Sequence, residues 1–241
     1  MDTEAQHTER DRSPEPAEQA GDGEGSRSAR ISPADPADPA AEAAPSWRSW
    51  RRAGVLGCVC VIFLLLFSTF VMQPFLIPSS SMEPGLKVGD RVLVNKLAYR
   101  FGAEPQRGDV VVFDGSGSWG NSDYIKRVVG VGGDRVVARG KDGRIEVNGE
   151  PVDEGYLYSG DAPSTVPFDV VVPEGRLFVL GDHRSDSSDS RDHLGSPGGG
   201  MVAVDTVIGR ADWVGWPVGR WTSMDRPGSF DRVPEPGGPH G

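Results

Sequence analysis

Thiols are almost missing from this sequence. Its two cysteines, Cys58 and Cys60, both fall inside one apolar run, so no disulfide or thiolate metal site can hold the rest of the chain together. Within that run they read as small apolar fillers, S-acylation being the other use of a cysteine in such a place. Lysine is scarce as well, with four (Lys87, Lys96, Lys126 and Lys141) against twenty-one arginines, a bias that fits a GC-rich bacterium. Residues 1–46 have no aromatic residue. With six prolines, eleven acids and four arginines, they cannot bury enough apolar surface to offset the entropy of ordering. Residues 1–52 are therefore expected to be a disordered acidic head, and the Pro- and Gly-rich residues 225–241 a disordered tail. A basic footprint is also lacking: the net charge is −10, which argues against nucleic acid as a partner.

One long apolar stretch is present. Residues 53–72, AGVLGCVCVIFLLLFSTFVM, carry no charge, and as a helix they span about 30 Å, the thickness of a bilayer core. Lipid leaves such a run no choice but helix, because its backbone groups must bond internally. Arg48, Arg51 and Arg52 precede it, Trp47 and Trp50 form an interfacial belt, and no Lys or Arg follows until Lys87. That asymmetry predicts a single-pass protein of the cell membrane with its N-terminus cytoplasmic and residues 73–224 outside. A cleaved signal peptide is the alternative. The run begins too far into the chain, is too long, and lacks a clean small-x-small site.

Past the run, short β-branched stretches alternate with Gly, Pro and Asp. Strands are expected at 91–96, 110–113, 124–131, 135–138, 145–147, 177–180 and 206–213, with turns at Lys141-Asp142-Gly143-Arg144 and Asn148-Gly149. The body is expected to be all-β and antiparallel, with about 139–168 as a subdomain inserted in a smaller core.

Three segments carry chemistry. Ser79, Ser80 and Ser81 lie between Pro78 and Pro84, a path that is irregular and extended. A serine nucleophile needs a base, either a histidine or a lysine made neutral by burial. Lys141 lies in a turn, Lys87 in a loop, and Lys96 ends a strand. Lys126 lies within a strand, where a period of two puts Tyr124, Lys126 and Val128 on one face and Ile125, Arg127 and Val129 on the other. One of these adjacent bases must face the core, unless both reach solvent at a sheet edge, which the strand alone leaves open. Lysine can lose its proton there and arginine cannot. Bringing a lysine from near 10.4 to roughly 7–8 takes on the order of 4 kcal/mol, within the reach of burial. The third segment, residues 181–191, reads alone as a solvated loop, since its acids do not follow a calcium-loop spacing.

Together these segments resemble the bacterial type I signal peptidases, a serine–lysine protease family, in an actinobacterial-like form. The likeness rests on PSSSM at 78–82, RGDVVVF at 107–113, YIKRVVGVGGD at 124–134 and GDHRSDSSDSR at 181–191, in order behind a membrane run. It implies Ser81 as nucleophile, Lys126 as general base, and an oxyanion hole from the Ser81 N–H and the Ser79 hydroxyl. It further implies Ser187 orienting the lysine, Asp189 and Arg191 as a supporting ion pair, and a cleft built from Ile77, Met82, Leu86, Tyr124 and Ile125. The implied fold is an all-β catalytic core with an inserted β-subdomain, working without cofactor or metal. The implied partners are secretory preproteins with small residues at −1 and −3 of the cut, and the lipid bilayer. His183 and Asp192-His193-Leu194 depart from the pattern, and either histidine with an aspartate offers a triad as a rival to the lysine. Other rivals are a serine–lysine protease for another membrane or pilin-like substrate, and a non-catalytic tethered β-domain. Ser81 lies nine residues past the membrane run, within ~30 Å of the bilayer.

Overall fold

In the structure, a computed structural model, residues 47–117, 119–139 and 143–237 are described. Residues 1–46 of the head, and Lys141 and Asp142 of the expected turn, lie outside the described residues. Helix α1 covers Trp47–Phe70, beginning earlier and ending sooner than 53–72. No Gly or Pro interrupts Trp47 to Ala53, so the arginine-bearing stretch joins the helix. Its 24 residues reach roughly 36 Å, placing the arginines beyond a ~30 Å apolar layer. The protein buries none of α1, and a helix apolar on every side calls for apolar surroundings. Its C-terminus is held by Lys96, whose Nζ donates to the Thr69 carbonyl at 3.1 Å and whose N–H donates to that of Val71.

The chain then enters β1 (Met72–Leu76) directly. The strands that follow are β2 (Arg91–Asn95), β3 (Val110–Asp114), β4 (Asp123–Val131), β5 (Arg135–Ala138), β6 (Ile145–Val147), β7 (Glu150–Pro151), β8 (Phe168–Val171), β9 (Arg176–Leu180), β10 (Val202–Ala203), β11 (Val207–Trp216) and β12 (Thr222–Ser223). The described strands form two antiparallel sheets. One has the order β1-β2-β11-β3-β4-β9-β10 with β12 on β11, and the other the order β7-β6-β5-β8. The fold is all-β behind one apolar helix.

Every strand read from the sequence is present within a few residues, but β1, β7, β8, β10 and β12 were not foreseen. Pro74 hides β1 from pattern reading. An edge strand tolerates it, because one row of its N–H groups faces away from the ladder. The second sheet begins at Arg135 and ends at Val171, so it is wider than 139–168. The sheets meet through one apolar cluster, in which Val129, Phe178 and Leu180 pack against Val136, Ile145, Val147 and Phe168.

Residues 225–237 correct the expectation of a loose tail. Phe230 and Val233 are buried in that same cluster. Pro234 accepts a hydrogen bond from Asn148 at 3.0 Å, and Arg226 faces Asp109 at 3.2 Å. Pro and Gly content hid a short 3-10 helix, Gly228–Arg232, and two apolar side chains seat the strap. Phe230→Ala should therefore cost roughly 3 kcal/mol of stability in urea unfolding of the solubilised protein. A change below about 0.5 kcal/mol would mean that the strap does not pack.

Candidate active site

Lys126 lies on β4, flanked by β3 and β9, with Val111 opposite it in register. An interior strand has no open edge, and that disposes of the alternative in which both bases reach solvent. Lys126 is 4% exposed and Arg127 5%, so both adjacent bases are buried rather than one. Their surroundings differ. Arg127 donates to both carboxylate oxygens of Asp182 at 2.8 and 2.6 Å and to the Gly108 carbonyl at 2.8 Å. Lys126 has no carboxylate at contact distance among the described residues; its Nζ bonds to Ser81 Oγ at 2.8 Å.

Ser81 follows β1 in a turn whose Ile77 N–H bonds to the Asp90 carbonyl, and its own carbonyl accepts the His183 N–H at 3.1 Å. The Ser81 N–H makes no hydrogen bond among the described residues, and Ser79 Oγ lies 3.3 Å from Ser81 Oγ. That N–H without a partner and one hydroxyl already hydrogen-bonded to Ser81 Oγ thus flank the Ser81 side chain. Gly181 has no room for a side chain, since a Cβ there would collide with Ser187 Oγ and the Ser81 carbonyl.

Asp189 receives Arg191 Nε and Nη2 at 2.8 Å each, the Gly181 N–H at 3.0 Å and the Ser187 hydroxyl at 2.9 Å. Ser187 thus donates to Asp189 and makes no bond to Lys126, because an ionised carboxylate outcompetes a neutral amine as acceptor. Ile77, Met82 and Leu86 are buried in the core beneath the serine, whereas Tyr124 and Ile125 are half-buried. Neither histidine reaches Ser81 with its ring. The His183 ring stacks on Tyr158 at 3.9 Å and that of His193 lies against Trp119 at 4.6 Å. Sequence reasoning missed Asp182 as Arg127's partner. The two stand 55 positions apart, and no local pattern joins them.

Burial lowers the Lys126 amine to about 8 from its ordinary 10.5, while Asp189 and Asp182 pull the other way. That displacement is worth roughly 3 kcal/mol. The sign is unfavourable to folding. The unfolded chain holds the proton more tightly, so the cost is complete below pH 8 and disappears as pH rises to 10.5. What the fold gains is an amine able to accept a proton near neutrality.

The family profile described as "Signal peptidase, peptidase S26" matches residues 49–216. Signal peptidase I of Mycobacterium tuberculosis is 39% identical over a 215-residue alignment covering 69% of this chain and 72% of that protein. Signal peptidase IB of Staphylococcus aureus is 36% identical over 177 residues, covering 66% of this chain and 86% of its own. Among solved structures, a signal peptidase I from Enterococcus faecalis is 28% identical, covers 44% of this chain and 96% of its own, and has a TM-score of 0.36.

A base of this affinity should raise kcat/KM about ten-fold between pH 7 and pH 9, with one proton lost. A profile flat across that range would mean that the amine is not the base. Lys126→Met should abolish the rise while stabilising the fold by up to about 3 kcal/mol at pH 7, measured by urea unfolding.

Proposed function

We infer that Ser81 and Lys126 carry the reaction of this chain, which belongs to the signal peptidase family, peptidase S26. The chain is a membrane-anchored serine endopeptidase that removes signal peptides from secretory preproteins. The observation that carries the residue assignment is the 2.8 Å bond between two buried groups, Lys126 Nζ and Ser81 Oγ.

Neutral Lys126 takes the Ser81 proton as Oγ attacks the scissile carbonyl. The negative charge that develops on the carbonyl oxygen meets the Ser81 N–H and the Ser79 hydroxyl. The lysine ammonium then returns the proton to the leaving amine, and a water repeats the cycle to free the acyl chain. Asp189 and Arg191 hold the loop in place by their ion pair. In this proposal Ser187 keeps its hydroxyl proton on Asp189 and orients Lys126 by offering its oxygen as acceptor to the ammonium that forms in the reaction. Ile77, Met82 and Leu86 form the floor of the cleft, with Tyr124 and Ile125 at its rim. A floor already filled by packed side chains leaves little depth, which supports small residues at −1 and −3 of the cut.

The arginines at the start of α1 support a cytoplasmic N-terminus and an extracytoplasmic body. Lipid contact reaches beyond the helix. Leu76, Arg91 and Trp216 lie in one row across β1, β2 and β11, and Pro74, Leu93 and Trp213 in another. Trp213, Trp216 and Trp221 are each about half exposed or more, on a sheet whose edge strand continues from the membrane helix.

Ser81→Ala and Lys126→Met should each lower cleavage of a preprotein with an Ala-x-Ala site by about a thousand-fold or more. Full activity in either variant would remove that residue from the mechanism. In proteoliposomes, brominated lipid should quench the emission that Trp213→Phe and Trp216→Phe together remove. Quenching unchanged by the double substitution would exclude this face from the lipid.

A further inference from the structure

The segment between β7 and β8 belongs to the second sheet, yet it is tied to the loop that follows β9. Glu154 accepts both terminal nitrogens of Arg184, with Nη1 at 3.1 Å, and also the Tyr156 hydroxyl at 2.8 Å. Arg184 additionally donates to the Gly181 carbonyl at 2.9 Å and to that of Pro163. Nearby, the Tyr158 N–H donates to the Asp182 carbonyl at 3.1 Å, and the Ser185 N–H and hydroxyl donate to Asp161 at 3.0 and 2.8 Å. The Tyr156 ring lies 4.4 Å beneath the Arg127 guanidinium.

What is gripped matters more than the number of grips. The 181–187 turn supplies the His183 N–H that donates to the Ser81 carbonyl, and Asp182 to neutralise the base next to Lys126. The Glu154 and Arg184 side chains are each 2% exposed. A buried ion pair adds little net stability compared with apolar residues of the same volume, but it enforces one arrangement of the groups it joins. We propose that Glu154 is a positioning residue. Acting through Arg184, it holds the 181–187 turn against Ser81, so that the second sheet sets the alignment of the nucleophile with Lys126.

This rests on the Ser81–Lys126 reading. A misplacement of about 1 Å in such a pair costs up to about a hundred-fold in rate. A loosened turn would also admit water to Lys126. The charged groups facing that amine, Asp182 and Asp189, both sit on this loop, and burial acts on it more strongly than either. Hydration should therefore move the acid limb of the rate profile to higher pH.

The test uses the full-length enzyme in detergent and one fluorogenic signal-peptide substrate. Glu154→Gln should lower kcat at pH 7 by about ten- to a hundred-fold with KM within about two-fold, and displace the limb upward by about half a pH unit or more. Glu154→Asp should recover part of the rate. A folded Glu154→Gln enzyme with the wild-type limb and kcat overturns the proposal, and so does a lower rate accounted for by unfolded protein with the limb unmoved. Should Glu154→Gln fail to fold, Tyr156→Phe decides. It removes one bond to Glu154 and leaves the ring under Arg127, and an upward limb supports the role while an unmoved limb refutes it. Lys126→Met run alongside separates the two ideas, since activity in that variant would sink the dyad whatever Glu154 does.

Discussion

A single amine kept out of water without a counter-ion is the constraint around which this molecule is arranged. Among the described residues, the other buried acids and bases each meet an opposite charge: Asp90 with Arg220, Asp109 with Arg226, Asp134 with Arg107, Arg127 with Asp182, Glu154 with Arg184 and Asp189 with Arg191. Lys126 meets a hydroxyl instead. Charge left unpaired in the interior is costly, and a lysine answers that cost by giving up its proton. The fold gives away stability at one position and obtains there an amine able to accept a proton near neutrality.

The arrangement works because the two adjacent bases are chemically unequal. An arginine cannot deprotonate, so burying Arg127 demands a carboxylate, and Asp182 supplies it in the forked geometry a guanidinium prefers. Had a carboxylate stood equally close to Lys126, the amine would stay charged and could take no proton from the Ser81 hydroxyl beside it. Asp182 and Asp189 raise its proton affinity from a distance, and burial outweighs them.

Rigidity comes from outside the large sheet. The second sheet braces the turn behind Ser81 through Glu154 and Arg184. The C-terminal strap lays Phe230 and Pro227 against Gly108, whose carbonyl receives Arg127. Two parts of the chain that look peripheral in sequence thus bear on the strand that carries the lysine.

Much of this was legible beforehand. A charge-free run of bilayer length admits only a helix, and β-branched stretches between turn residues admit only strands, because both follow from local backbone chemistry. Ser81 and Lys126 stood out through scarcity and motif order. What one-dimensional pattern could not supply is what covers each face: alternation says that Lys126 and Arg127 point to opposite sides, not that both sides are dry. Asp182, Glu154 and Phe230 gain their meaning from chain segments far away, and β1 from being an edge that tolerates Pro74. Sequence by itself determined which groups could react. Only the tertiary structure decided which of them lacks a counter-ion, because burial and charge pairing are properties of contacts between residues as distant as 130 positions apart.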